Sequence, residues 1–179
     1  APPLGLGGFL GGERAVVETL DAPVDEDLGD VDLGAHLGQL EAAASAEPDG
    51  RGGTMAGDPQ WRRHVARARL SAQALEMIEL RILADIAKGR APGPQTSLTK
   101  LLASNLRQEI DLLAVDLYGA AGLQLPPERP LYGENVPEPV YSRAAQVAAP
   151  RYLNSRAWTI FGGTNEVQAN IIARSVLGL

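Results

Sequence analysis

The residues best suited to binding chemistry lie near the end of the chain, in the motif Gly162-Gly163-Thr164-Asn165-Glu166. Glycines permit a tight turn, threonine is a common helix N-cap, and a carboxylate in the first turn is stabilised by the helix dipole. A helix that starts behind such a turn presents backbone N–H groups, which bind anions such as the diphosphate of a cofactor. The same pattern also describes a capped amphipathic helix without a chemical role, so both interpretations stay open at this point.

Several other kinds of chemistry are disfavoured by what the sequence lacks. It contains no cysteine, which removes disulfide scaffolds, thiolate zinc sites and cysteine nucleophiles. Its two histidines, His36 and His64, have no companions at metal-ligand spacing and are predicted to be structural or surface residues. The acidic run at 21–32 lacks the glycine and glutamate spacing of a calcium loop, so no metal site is predicted.

The overall charge and hydropathy limit where the protein can be located and what it can bind. A formal net charge of −6 disfavours a protein whose main task is to bind nucleic acid. The sequence has no apolar run long enough for a membrane-spanning helix, and its first residues lack the basic start of a signal peptide. We therefore expect a cytoplasmic protein without a membrane span.

Charge also separates the chain into two parts. Residues 1–50 contain 11 acidic residues and one basic residue, whereas residues 51–179 contain 11 acidic and 15 basic residues. We predict that residues 1–57 form an acidic, irregular linker with short helices at Glu13–Leu20 and Leu33–Glu47. The remaining residues, 58–179, are predicted to form a helical bundle domain.

Two long helices are predicted where apolar residues recur at steps of three and four, the spacing of one helix face. The first begins with Asp58 as N-cap and Pro59 at the first helical position, and it ends at Gly89. The second runs from Thr96 to the glycines at 119–122. Because their connection is short, we expect antiparallel packing, and the sequence predicts an all-α four-helix bundle.

Shorter helices complete the predicted bundle. One covers Tyr141–Ala149, after a proline-rich loop at 125–139. Trp61 and Trp158 are predicted to be packing anchors. The last helix begins at Thr164 and is predicted to turn four apolar side chains toward the core, namely Val167, Ile171, Ile172 and Val176. A basic stripe is predicted to form a solvated or interface face, and it consists of Arg62, Arg63, Arg67 and Arg69.

Three segments together resemble the acyl-CoA dehydrogenase family. The stretch Arg156–Leu179 resembles the family's C-terminal signature and is the most specific of the three. Residues 97–123 and 58–90 resemble the two preceding long helices, so the resemblance covers the chain from residue 58 onward. It implies a four-helix bundle that builds an oligomer interface, an FAD cofactor, and oxidation of the Cα–Cβ bond of acyl-CoA thioesters.

The resemblance also exposes a difference at the catalytic position. Gly162 stands where many members carry the glutamate that removes the α-proton of the acyl-CoA. A glycine has no side chain that accepts a proton, so the resemblance implies no catalytic residue at this place. Some members place the base on the first helix of the domain, just before an arginine, and Glu13 before Arg14 is the alternative that matches this arrangement.

The residues that the resemblance assigns to FAD fall in two clusters. The terminal motif contributes Gly163, Thr164, Asn165 and Glu166. The second cluster stands where the family usually has a glutamine and two glycines that contact the FAD of a neighbouring subunit, and here it is Asp116, Gly119 and Ala120. Asp116 brings negative charge toward a diphosphate cofactor, and Ala120 adds a methyl group where the backbone would approach closely.

Three interpretations remain open. The first is a non-catalytic or partly degenerate subunit of a heteromeric (α2β2) acyl-CoA dehydrogenase. Such a subunit completes the FAD pocket and the interface of a related partner subunit that supplies the glutamate base, and acyl-CoA is the substrate of the complex. The second is a fragment of a self-sufficient dehydrogenase with Glu13 as its base. The third is a helical interaction module without flavin.

Overall fold

The computed structural model describes residues 32–123 and 141–179, and both ranges are mainly helical. Their α-helices are α1 (Leu33–Ala44), α2 (Pro59–Ala87), α3 (Gln95–Gly122), α4 (Arg143–Ser155) and α5 (Asn165–Ile172). Short 3-10 helices lie at Met55–Gly57 and Arg156–Thr159, and a π-helix at Ala173–Leu177 follows α5. The predicted all-α class is confirmed. Among the described helices, not one combines the length and the hydropathy that crossing a membrane requires.

Some predictions fall on residues outside the described ranges. These are the helix at Glu13–Leu20, the candidate base Glu13, all of the acidic run except Asp32, and the proline-rich loop at 125–139. They stay predictions.

Helix α2 begins as its sequence predicts. Asp58 Oδ1 accepts hydrogen bonds from the backbone N–H groups of Gln60 at 2.9 Å and Trp61 at 2.8 Å, and Pro59 occupies the first helical position. The helix ends at Ala87, just before Gly89 with its φ of 78°. The short loop 88–94 then leads into α3, and α2 and α3 pack against each other.

Helix α3 is the central element, because α1, α2, α4 and α5 all pack against it. Its buried apolar residues recur at helical spacing and include Leu106, Ile110, Leu113 and Leu117. The helices around it add apolar side chains to the same core, among them Leu37 and Leu40 of α1, Trp61 and Val65 of α2, and Ala145 and Ala148 of α4. Helix α1 thus shares one core with helices that lie beyond residue 57, and a domain division at that residue stays a prediction.

Two helices differ in their bounds from the sequence-based expectation. Helix α1 stops at Ala44 rather than Glu47, with Ser45 as its C-cap. Helix α4 covers Arg143–Ser155 rather than Tyr141–Ala149, and it continues through Pro150. A proline inside a helix removes one backbone hydrogen bond. Contacts with α3 offset this loss, since Gln108 Nε2 donates to the carbonyl of Ser155 at 3.0 Å at the far end of α4.

The predicted orientation of the last helix is wrong for three of its four apolar residues. Val167 is 49% exposed, Ile171 39% and Val176 60%, so these side chains do not face the core of this chain. Ile172 is partly buried. The start of α5 is attached to α3 by the polar side chain of Asn165, which leaves most of the apolar side of the helix uncovered.

A buried polar cluster joins α1 and α4 to α3. Arg107 Nε donates to Asp111 Oδ2 at 2.9 Å, and Asp111 is only 1% exposed. Burial raises the pKa of Asp111, although Arg107 opposes this effect. Burial also lowers the pKa of His36 to about 4, and the charges of Arg107 and Arg151 add to that shift. His36 is therefore neutral at pH 7 and is a structural residue, as the sequence predicted.

Both tryptophans act as packing residues, in agreement with the prediction. Trp61 is 5% exposed within the core. Trp158 is partly buried, and the Arg107 guanidinium lies 5.8 Å from the centre of its ring, within range of a cation–π contact. Because Trp158 belongs to the 3-10 helix after α4, this contact fixes the chain segment that leads to Gly162.

Leu40→Ala tests whether α1 belongs to the core. Leu40 is 2% exposed, so the substitution is expected to reduce the free energy of unfolding by about 2–5 kcal/mol through a new cavity. Chemical denaturation of the full chain measures this loss. Leu70→Ala is the matched control, because Leu70 is 68% exposed and should change stability by no more than about 0.5 kcal/mol. Equal effects of the two variants would contradict a core role for α1.

Acidification is expected to destabilise the chain through His36. In the unfolded chain His36 becomes protonated near pH 6.5, whereas in the folded chain it becomes protonated only near its pKa of about 4. The contribution of the neutral His36 to the free energy of unfolding is therefore present above pH 6.5 and is lost as the pH falls below that value. For His36 alone this amounts to about 2 kcal/mol between pH 7 and pH 5. Urea denaturation at both pH values measures the loss. His36→Gln should remove it and His64→Gln, at an exposed position, should not; an unchanged loss in His36→Gln would disprove the assignment.

Candidate functional site

The turn before α5 depends on its two glycines. Gly162 has a φ of 66° and Gly163 a φ of 89°, which is the left-handed region that other residues rarely adopt. Gln168 Nε2 donates to the carbonyl oxygen of Gly162 at 2.9 Å and closes the turn. A Cβ atom at Gly163 would lie 2.7 Å from that same Nε2 atom, so a side chain there would displace the Gln168 amide from the turn.

Position 162 itself opens onto empty space. A Cβ atom built there would meet no heavy atom within 4 Å. The place that the resemblance assigns to a proton-accepting glutamate is thus sterically accessible, yet it carries no side chain. The left-handed φ of Gly162 would strain a side chain introduced at this point by about 1–2 kcal/mol.

Thr164 caps α5 as predicted. Its side-chain oxygen accepts a hydrogen bond from the backbone N–H of Val167 at 3.3 Å, and its backbone is extended. Glu166 lies in the first turn, where its own backbone N–H and the Thr164 hydroxyl lower the pKa of its carboxyl group. The ammonium group of Lys100 acts in the same direction. The start of α5 is therefore a polar, solvent-accessible helix N-terminus.

Asn165 is attached to α3 by three side chains, which we call the Asn165 clamp: Lys100, Ser104 and Asn105. Lys100 Nζ and Ser104 Oγ both lie within hydrogen-bonding distance of Asn165 Oδ1, at 2.8 and 3.1 Å. Asn165 Nδ2 in turn donates to Asn105 Oδ1 at 3.2 Å. The clamp fixes the first residue of α5 against the first half of α3.

The second predicted cluster lies at the other end of α3. Gly119 interrupts the helix with φ 52° and ψ −127°. The chain then folds back so closely that a Cβ atom at Gly122 would lie 2.9 Å from the carbonyl oxygen of Val115. Asp116 and Ala120 are exposed. Partial burial raises the pKa of Asp116, although the nearby His64 opposes the shift.

The two clusters are not brought together within one chain. The Asn165 clamp reaches α3 at residue 105, and Asp116 lies 11 residues further along the same helix. At a rise of 1.5 Å per residue, this separates the clusters by about 16 Å. Each cluster is therefore a partial site, open to solvent on the surface of the described chain.

The two clusters differ in how well they suit FAD, the cofactor that the resemblance implies. The cluster at Thr164 combines a helix N-terminus and a hydroxyl, which suit an anionic group, with the Glu166 carboxylate, which suits a hydroxyl group of a cofactor. At the other cluster, the carboxylate of Asp116 would repel a diphosphate. The residues present thus fit the cofactor at the terminal motif and fit it poorly at Asp116.

The Asn165 clamp is not predictable from the sequence. Its residues lie 60 or more positions before Asn165, and no local pattern connects such distant polar residues.

A row of exposed apolar side chains runs along α2, and we call it the outer face of α2: Leu70, Met77 and Leu80. In the sequence these residues, with Leu83, widen the apolar stripe of the helix and predict that more than one neighbour covers it. In the described chain this side of α2 is exposed.

The basic stripe on α2 is divided by the structure. Arg62, Arg63 and Arg67 are exposed, as predicted. Arg69 instead forms a salt bridge with Glu41 of α1, so it helps to attach α1 to α2.

Comparisons with known proteins agree with this architecture. The family described as acyl-CoA dehydrogenase, C-terminal domain, matches residues 35–177. Acyl-CoA dehydrogenase IpdE1 of Mycolicibacterium smegmatis is 37% identical over 124 residues, and that of Mycobacterium tuberculosis is 35% identical over the same length. Each match covers 69% of this chain but only 26% and 28% of the two relatives. The chain thus spans about a quarter of the length of these curated relatives.

A solved structure shares the fold. It is the crystal structure of the ChsE4-ChsE5 complex from Mycobacterium tuberculosis, with a TM-score of 0.62 and 23% identity over 83% of this chain and 35% of that chain. The family match covers most of the chain, including the glycine turn, the capped α5 and the two long helices. The chain therefore belongs to the acyl-CoA dehydrogenase family, of which it contains the C-terminal helical domain.

Proposed function

We propose that this chain is a non-catalytic subunit of a heteromeric acyl-CoA dehydrogenase, which oxidises the Cα–Cβ bond of acyl-CoA thioesters. In this proposal it completes the flavin pocket and the oligomer interface of a related partner, and the partner supplies the glutamate base. The observation that carries the proposal is Gly162, which leaves open space where the base would stand within an otherwise intact, capped turn.

The preserved turn supports a cofactor role despite the missing base. Gly163, Thr164 and Glu166 keep the conformation of an accessible helix start. In the proposed complex, the backbone N–H groups at this start and the Thr164 hydroxyl hold an anionic part of FAD. The Glu166 carboxylate accepts a hydrogen bond from a hydroxyl group of the cofactor, and bound FAD supplies the electron acceptor for the oxidation.

The separation of the two clusters supports a pocket shared between chains. Because about 16 Å of α3 lies between Asp116 and the clamp, one chain does not enclose a cofactor by itself. We place Asp116, Gly119 and Ala120 at the edge of a second pocket, where the negative charge of Asp116 weakens the binding of FAD by this chain. A partner would then hold most of each FAD.

Uncovered apolar surface supports a protein partner. The outer face of α2 and the exposed side of α5, with Val167 and Ile171, leave apolar side chains in water. Such surfaces typically mark protein–protein interfaces. The ChsE4-ChsE5 structure is that of a complex between two named components, which favours a related subunit as the partner in an α2β2 assembly. We place the assembly in the cytoplasm, and the absence of cysteine is compatible with that compartment.

A self-sufficient dehydrogenase is the second candidate, because the matched relatives are about four times as long as the matched region. In that case Glu13 is the candidate base. A helical module without flavin is the third candidate, and a co-expression experiment separates all three.

Co-expression with a related, glutamate-bearing subunit of the same organism tests the proposal. We expect the isolated chain to be colourless and inactive toward acyl-CoA thioesters, and the purified complex to be yellow and active. Thr164→Val should weaken FAD binding by the complex about tenfold, because it removes the cap and a polar contact. Fluorescence titration with FAD measures this affinity.

The control for that variant is Thr159→Val. The Thr159 hydroxyl donates to the carbonyl of Arg156 at 2.8 Å within its own turn, so FAD affinity should not change. Oxidation of a thioester by the isolated chain would instead favour the self-sufficient enzyme, and Glu13→Gln should then abolish it. A stable complex without any flavin would favour the interaction module.

Leu80→Glu tests the outer face of α2 as the interface. Leu80 is 52% exposed, so the charge should leave the melting temperature of the single chain unchanged. Burying that charge against a partner should weaken the complex at least about tenfold. Analytical ultracentrifugation of the co-expressed subunits measures the dissociation. Lys88→Glu, exposed beyond the end of α2, is the control, and equal assembly of both variants with the partner would refute this interface.

A further inference from the structure

The side-chain amide of Asn165 is engaged at both ends inside this chain. Its Oδ1 atom lies 2.8 Å from Lys100 Nζ and 3.1 Å from Ser104 Oγ, and its Nδ2 atom donates to Asn105. Both lone pairs of Oδ1 and one of the two N–H donors are thus used within the chain, which leaves one donor for a ligand. Thr164 differs from Asn165 in this respect, because the helix start beside Thr164 is accessible to solvent.

Lys100 is the strongest member of the Asn165 clamp. The Ser104 hydroxyl is buried, and its single proton is shared between the carbonyl of Leu101 and Asn165 Oδ1, both at 3.1 Å. The ammonium of Lys100 gives a shorter, charge-assisted hydrogen bond, which is about twice as strong as a neutral one.

The clamp acts directly after a pair of glycines. Asn165 directly follows Thr164 and the two glycines, and glycines lose more backbone freedom than other residues when they are ordered. Val167, the apolar side chain of α5 nearest to the turn, is half-exposed and contributes little packing there. Polar contacts from α3 therefore hold the turn in one conformation.

We propose that Lys100, Ser104 and Asn165 are positioning residues, which hold the turn at 162–164 in the conformation that receives the cofactor. This inference rests on the proposed function and deepens it. Asn165 contributes through the backbone of Thr164 rather than by touching FAD. Without the clamp, the turn is more mobile, and the ligand has to order it upon binding, which lowers affinity.

Lys100→Met tests the inference, because it keeps the apolar stem and removes the donor. In the co-expressed complex, FAD affinity is expected to fall about tenfold in Lys100→Met and in Asn165→Ala. The double variant should bind FAD no more weakly than either single variant, because both changes break the same contact. Lys100→Arg should restore most of the affinity. Lys88→Met is the matched control at an exposed lysine and should have no effect.

Amide hydrogen exchange of the full chain without FAD gives a second readout, which does not depend on flavin. Exchange at residues 161–167 should become about tenfold faster in Lys100→Met than in the unchanged chain or Lys88→Met, while the melting temperature stays the same. Unchanged exchange in this segment, or additive losses of FAD affinity in the double variant, would overturn the inference. A wild-type complex that binds no FAD would count against the proposed function alone, because the exchange experiment would still decide on the clamp.

Discussion

Helix α3 has to be covered on several sides, and the rest of the structure follows from this constraint. Its buried residues include Leu106, Ile110 and Leu117, which need apolar neighbours from other helices. The helices α1, α2 and α4 provide them. The buried carboxylate of Asp111 is partly satisfied within α3 itself, because Arg107 donates a hydrogen bond to its Oδ2 atom. The helix is therefore both the centre of the core and the support for the terminal motif.

The sequence predicts this fold best where local signals are strong. The Asp58 cap, the proline after it and the apolar spacing of α2 and α3 determine those helices almost entirely by local chemistry. Predictions fail where distant contacts decide. Helix α4 passes Pro150 because α3 holds its end, and α5 turns its apolar side outward because polar residues of α3 hold its start. No single-sequence pattern encodes a contact across 60 positions.

The same division applies to the candidate site. The turn at 162–164 was recognisable, because two glycines and a threonine have few other reasons to occur in that order before a helix. What the sequence did not reveal is that Asn165 uses its amide inside the chain. The residue types of a motif indicate where a binding site lies. The role of an individual side chain in that site follows only from its hydrogen-bond partners.

The left-handed backbone at Gly162 also has a consequence for how this chain can change over generations. A mutation that introduces a glutamate there would place a side chain in a conformation that disfavours it, at a stability cost of about 1–2 kcal/mol. The backbone would have to relax in the same lineage to remove that cost. Under the proposed function, this cost acts as a weak evolutionary ratchet, which favours lasting dependence on a second gene product over a return to autonomy.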